Sequence, residues 1–208
     1  SWDLKTLWVN DNEGNFLTPI DPANVTIGKS VAVHDPYNLY FTPNGKYAIV
    51  MAEADKQLVF RDPHTMKIKK TVNVACDGLN HADWTADGNY FAATCEFSGQ
   101  LIWVNTSKMK VEAYSFLPTT YNHKPQPQDI KISPDGKTFY IADMMSDGVW
   151  VMPANKFGTY SFIKTGRATH GLYVTRDSKT LLITNRGEGS VSVLRFSDNK
   201  LIAKWKIP

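Results

Sequence analysis

Long apolar runs are missing from this chain of 208 residues. None approaches the ~18 residues that a membrane-crossing helix needs, so no transmembrane segment of that kind is present. Cysteine is confined to Cys76 and Cys95, neither with an obvious histidine partner, and there is no GxSxG elbow or HExxH pair. The familiar sequence signatures of Cys, Ser and zinc hydrolases are therefore absent. Gly187-Glu188-Gly189 lacks the strand-to-helix setting of a phosphate loop and reads as a turn. Excess charge is missing as well: a net +3 predicts neither a nucleic-acid nor a membrane partner. No helix-period segment of useful length, low-complexity tract or linker interrupts the chain, which reads as one all-β domain over residues 1–208. The amino terminus has no signal-peptide layout, but Ser1-Trp2 already lies inside a repeat and is silent about compartment.

What the chain has is repetition. Asp129–Pro153 reads DIKISPDGKTFYIADMMSDGVWVMP: a strand, an SPDG turn, a second strand, a polar loop and a third strand. The turn recurs at Thr42-Pro43-Asn44-Gly45, Thr85-Ala86-Asp87-Gly88 and Thr175-Arg176-Asp177-Ser178, and a fifth copy opens the chain at Ser1-Trp2-Asp3-Leu4. Successive spacings are 41, 43, 48 and 42 residues. A period near this length with four strand-like runs per copy predicts a β-propeller of four-stranded antiparallel blades. Four complete blades are expected, at about Asn38–Val74, Ala75–Phe116, Gln128–Ile163 and His170–Ile207. A partial blade precedes them, entering midway with Leu7–Val9, Phe16–Ile20 and Val25–Val31. Alternation of apolar and polar residues is weak in these runs, as expected where neighbouring blades bury both sides of a sheet.

TFYIAD, TLLITN and TLWVND, each following an SPDGK-type turn, resemble the YVTN-type β-propeller repeat of surface-layer and YncE-like proteins. The resemblance covers the whole chain. It implies a seven-bladed, exported protein of the periplasm or the extracellular space, with this chain holding part of the ring. Remaining blades or a protein partner are then expected to cover its open faces. Propeller relatives also include lactonases and lyases that use polar and metal groups near the central channel.

Strands reverse at every connection, so the SPDG turns and the third-to-fourth-strand turns share one face. The blade crossings and second-to-third-strand loops share the other. This second face varies between copies, which makes it the candidate site. Alignment stacks Tyr37, Asn80, Gln128 and His170 in one column and Asn38, His81 and Asp129 in the next. The loop column holds Glu53, Glu96, Met144 and Arg186. These ten residues (Met144 aside) are the expected ligand-binding set: Tyr37, Asn38, Glu53, Asn80, His81, Glu96, Gln128, Asp129, His170 and Arg186. Hydrogen bonding of loop backbones around a wet funnel would account for the same residues without any ligand. A divalent metal ion as cofactor, held by His81, His170, Glu53 and Glu96, is a further reading, with Met144-Met145 as a soft addition. The face carries eleven acidic residues against four basic ones (Lys56, Lys124, Arg167 and Arg186), which disfavours nucleic acid there. The leading expectation is a non-catalytic recognition propeller that binds a small molecule, metal ion or partner protein. The alternative is a metal-assisted, lactonase-like hydrolase or lyase.

Cys76 precedes an inner strand and Cys95 ends the next one. Folding the hairpin at Asp87-Gly88 brings both to the variable face, within the roughly 4.4–6.8 Å Cα separation that a disulfide needs. Two buried thiols are the competing reading; an exported propeller favours the bridge.

Overall fold

A computed structural model describes residues 1–120 and 123–207. Tyr121 and Asn122, in the long connection from Leu117 to Pro127, and Pro208 lie outside the described residues. Five antiparallel sheets of four strands follow one another along the chain. Sheet I holds β1 (Leu7–Asp11), β2 (Phe16–Asp21), β3 (Thr26–Ile27) and β4 (Val31–Ala32). Sheet II holds β5 (Asn38–Phe41), β6 (Ala48–Ala52), β7 (Gln57–Arg61) and β8 (Ile68–Asn73). Sheet III holds β9 (Leu79–Trp84), β10 (Tyr90–Cys95), β11 (Gln100–Asn105) and β12 (Lys110–Phe116). Sheet IV holds β13 (Pro127–Ile132), β14 (Thr138–Asp143), β15 (Gly148–Pro153) and β16 (Ser161–Lys164). Sheet V holds β17 (Thr169–Val174), β18 (Thr180–Asn185), β19 (Ser190–Arg195) and β20 (Lys200–Lys206). Sheets II to V are meanders in chain order, the blades that the repeat predicts. Among the described residues no helix is long and apolar enough to cross a membrane.

Sheet I departs from expectation at its outer strand. The predicted run Val25–Val31 is broken into β3 and β4, both paired with β2. Pro19 in β2 is the cause. Its carbonyl accepts from Gly28 N at 2.8 Å, so the N–H that proline lacks would have pointed to the same outer neighbour. One ladder bond is lost there and the outer strand breaks.

The weak alternation of the second strands also has a direct explanation. Successive side chains point to opposite faces, and both faces of β14 are covered. Phe139 and Ile141 pack with Ala92 and Leu101 of sheet III, while Tyr140 and Ala142 pack with Leu172 and Leu181 of sheet V. Equivalent cores join sheet I to II and sheet II to III.

The turns that announce each blade are built alike. A hydroxyl donates to the carboxylate or amide oxygen two residues on: Ser1 to Asp3 at 2.6 Å, Thr42 to Asn44 at 2.8 Å, Thr85 to Asp87 at 2.6 Å, Ser133 to Asp135 at 2.6 Å and Thr175 to Asp177 at 2.7 Å. These hydrogen bonds hold the Asp3, Asp87, Asp135 and Asp177 carboxyls below their ordinary value. The fourth turn residue is left-handed in every copy, from Leu4 at φ 59° to Gly136 at φ 71°. At Gly136 a side chain would also collide with the preceding blade, since a Cβ would lie 2.5 Å from that of Ala86.

At the other end of the blades, the last residue of the second strand anchors the adjoining loop in sheets III to V, with different chemistry each time. In sheet III this residue is Cys95, bonded to Cys76 with a Cα–Cα distance of 6.0 Å, as expected from the sequence. In sheet IV it is Asp143, fully buried, which accepts from Gln126 N, Met145 N, Ser146 N, Ser146 Oγ and Trp150 Nε1 at 2.6–3.3 Å. In sheet V it is Asn185, bonded to the hydroxyls of Thr165, Thr169, Ser190 and Ser192. Replacing both cysteines with serine is expected to lower unfolding stability by about 3 kcal/mol on the chain-entropy estimate. Urea denaturation of the double variant measures it, and a loss below about 1 kcal/mol would mean that the loop is held without the bridge.

Candidate active site

The innermost strands β5, β9, β13 and β17 stand side by side, and their side chains link one blade to the next. Asp83 accepts from Trp84 N at 2.9 Å and from Ile132 N of the next blade at 2.8 Å. Asp129 repeats this with Ile130 N and Leu172 N, both at 2.9 Å. Near the variable face three of these strands slip register against their neighbours, between Leu79 and Ala82, Pro127 and Ile130, and Thr169 and Leu172. Strand β5 does not. A bulge re-aims side chains, and here the bulges fall at Asn80-His81, Gln128-Asp129 and His170-Gly171. The Thr94 hydroxyl fills one bulge, accepting from His81 N at 3.0 Å and donating to Gln128 O at 2.8 Å.

His81 lies at the centre of the resulting cluster. The Tyr40 hydroxyl is 2.9 Å from its Nδ1, the Asn38 amide nitrogen 3.5 Å and an Asp129 oxygen 4.0 Å. Lys131 donates to the same Asp129 oxygen at 2.9 Å. Burial pushes the His81 imidazole below its ordinary value; Asp129 opposes this, while Lys131 and His170 add to it. Burial favours the neutral ring, and the Asn38 amide, a donor facing Nδ1, favours the tautomer with the proton on Nε2.

Beside it, Asn80 donates from Nδ2 to Glu96 Oε2 at 3.1 Å. Glu53 is half-buried in the company of Glu96 and Asp35. Burial first, then those two negative charges, raise its carboxyl above the ordinary value. Tyr37 is raised by burial and then by Glu53 and Glu96. Thus Tyr37, Asn38, Glu53, Asn80, His81, Glu96, Asp129 and His170 adjoin one another at the channel mouth. Gln128 and Arg186 do not join them. Gln128 is buried, with Nε2 turned to Gln126 O at 3.3 Å, and Arg186 stands exposed on its loop in sheet V.

The expected metal set needs correction. Among the described residues no group of three or more His, Cys, Asp or Glu side chains could hold a metal ion. His81 has Tyr40 at Nδ1, and Glu96 has Asn80 at Oε2. Met144 and Met145 line a separate cavity of ≈ 470 Å³ with His123, Lys164 and Arg167. Tyr40, Asp83 and Lys131 are missing from the sequence-based site, although the signal was there. They sit two residues beyond the chosen column, on the same strand face, and are polar or amphipathic where a core strand would be apolar.

The comparisons fall on this same region. The family described as "Lactonase, 7-bladed beta-propeller" matches residues 29–171. Among solved structures, a candidate 6-phosphogluconolactonase of Bacteroides fragilis is 18% identical with a TM-score of 0.77, covering 98% of this chain and 68% of its own. A second one, from Bacteroides uniformis, is 17% identical with a TM-score of 0.78 and the same coverage. Hydrazine synthase of Kuenenia stuttgartiensis is 14% identical with a TM-score of 0.63, covering 99% of this chain and 84% of its own. At these identities the structures speak for the fold alone. No curated protein matches the chain. The expectation of a non-catalytic recognition propeller is overturned by the family match, which favours the lactonase alternative. Residues 29–171 are more than half of the chain and include the whole cluster from Tyr37 to His170, so the chain belongs to the lactonase family of seven-bladed β-propellers.

Proposed function

We propose that the channel mouth hydrolyses a lactone, with Glu53 as general base and His81 as the hydrogen-bond donor to the ester carbonyl. The observation that carries this is the family match, whose span includes every member of the cluster. In the reaction a water oxygen bonds to the carbonyl carbon and gives a proton to Glu53. The ring C–O bond then breaks, and the departing alkoxide takes that proton from Glu53, leaving a hydroxy acid and the free base. A raised carboxyl suits the first step, since a base works best with a pKa near the working pH. The Nε2–H of a neutral His81 suits the second role, stabilising charge that develops on the carbonyl oxygen. No step is routed through a metal. Acid release from γ- and δ-lactones, followed by pH-stat, tests the proposal. Saturable hydrolysis above background is expected, and none with any lactone would overturn it.

Three further readings belong with this one. The SPDG turns and the TFYIAD and TLLITN strands support YVTN-type, YncE-like blades within the family. The Cys76–Cys95 bridge supports an exported protein, periplasmic or extracellular. Further propeller strands, from the same protein or a partner, cover the open faces of sheets I and V, where Leu7, Val9, Tyr173 and Trp205 are exposed. A stable 23.4 kDa monomer in solution would contradict that last reading.

A further inference from the structure

We propose that this site takes an unphosphorylated, polyhydroxylated lactone and discriminates against its phosphate ester; the inference rests on the lactone reading above. The charge around Glu53 is negative, with Glu96 and Asp35 both felt there. Glu53 and Glu96 present carboxylates. Asn80, only 1% exposed, gives an amide hydrogen to Glu96, and its unpartnered Oδ1 is buried. Two neighbouring carboxylates call for donors, and a sugar lactone supplies hydroxyls. A phosphate ester brings about −1.5 to −2 charges and acceptor oxygens instead. The cations of this face are engaged away from Glu53 and Glu96. Lys131 is held by Asp129, Lys56 by Asp77, Lys124 by Phe97 O and Arg167 by Gly187 O. Arg186 is exposed on the far loop.

The test compares glucono-δ-lactone with 6-phosphoglucono-δ-lactone, using the full protein at low and high ionic strength. At low salt kcat/KM is expected to favour the neutral lactone by about tenfold or more, and the gap should narrow as salt screens the carboxylates. Glu96→Gln keeps an oxygen for the Asn80 amide and removes one charge. It should raise the relative use of the ester about threefold or more. Equal or better use of the ester by the unaltered protein overturns the inference and leaves the lactone reading standing. If Arg167→Gln then abolishes ester use, the phosphate belongs in the cavity beside Met144 and Lys164. Hydrolysis of neither these two nor any other lactone removes the reading and the inference together.

Discussion

Glu53→Gln is expected to lower kcat for lactone hydrolysis by about 10²–10⁴-fold, the usual range for loss of a general base. The fold should survive. The folded-state pKa of Glu53 is raised, so its stabilising contribution is full below the unfolded value and is lost as pH rises through the folded one. At neutral pH the ionised carboxylate is therefore a burden to the fold, and the glutamine variant should melt no lower than the parent. The pH profile provides a second check. Activity depends on ionised Glu53 and rises with pH through its elevated pKa. Glu96 is one source of that elevation, so Glu96→Gln should move the acid limb of kcat/KM to lower pH. An unmoved limb, or a Glu53→Gln enzyme with undiminished kcat, would assign the base elsewhere in the cluster.

Asp143→Ala should give the largest loss of stability among single substitutions near the site, about 3–5 kcal/mol. Its carboxylate is fully buried and satisfies three backbone N–H groups, the Ser146 hydroxyl and the Trp150 indole. Alanine would leave all five donors without this acceptor at a position closed to solvent. Urea denaturation should register the loss, and Asp143→Asn, which retains one acceptor oxygen, should recover part of it. A change below about 1 kcal/mol in the alanine variant would mean that the loop repacks around water.

The architecture was legible because the blade repeat carries its own punctuation. The hydroxyl-to-carboxylate turns at Thr85 or Ser133 need those residue types at that spacing, and each one marks a hairpin. The break between β3 and β4 was legible too, in Pro19, but only once the direction of its carbonyl was known. The site was harder to read. Sequence alignment of the copies found Asn80, His81 and Asp129 because they fall in two adjacent columns. It could not exclude Gln128, since a bulge decides whether that side chain faces the channel or its own loop. Nor could it foresee that Tyr40 would stand at His81 Nδ1. Pairings between separate blades leave no spacing in the chain.

The outer strands have one more consequence. Each blade ends in an open row of backbone N–H and C=O groups, a template on which another molecule's strand can add. Every one of the five is blunted. In sheet I the strand is cut into two-residue pieces, and β16 has four residues. Strand β8 presents Lys69 and Lys70, β12 presents Lys110 and Glu112, and β20 presents Lys200, Lys204 and Lys206. Fibre-like growth by strand addition is thereby closed off along the whole perimeter. Face-on contact, as between one blade and the next, is the approach that these edges leave open.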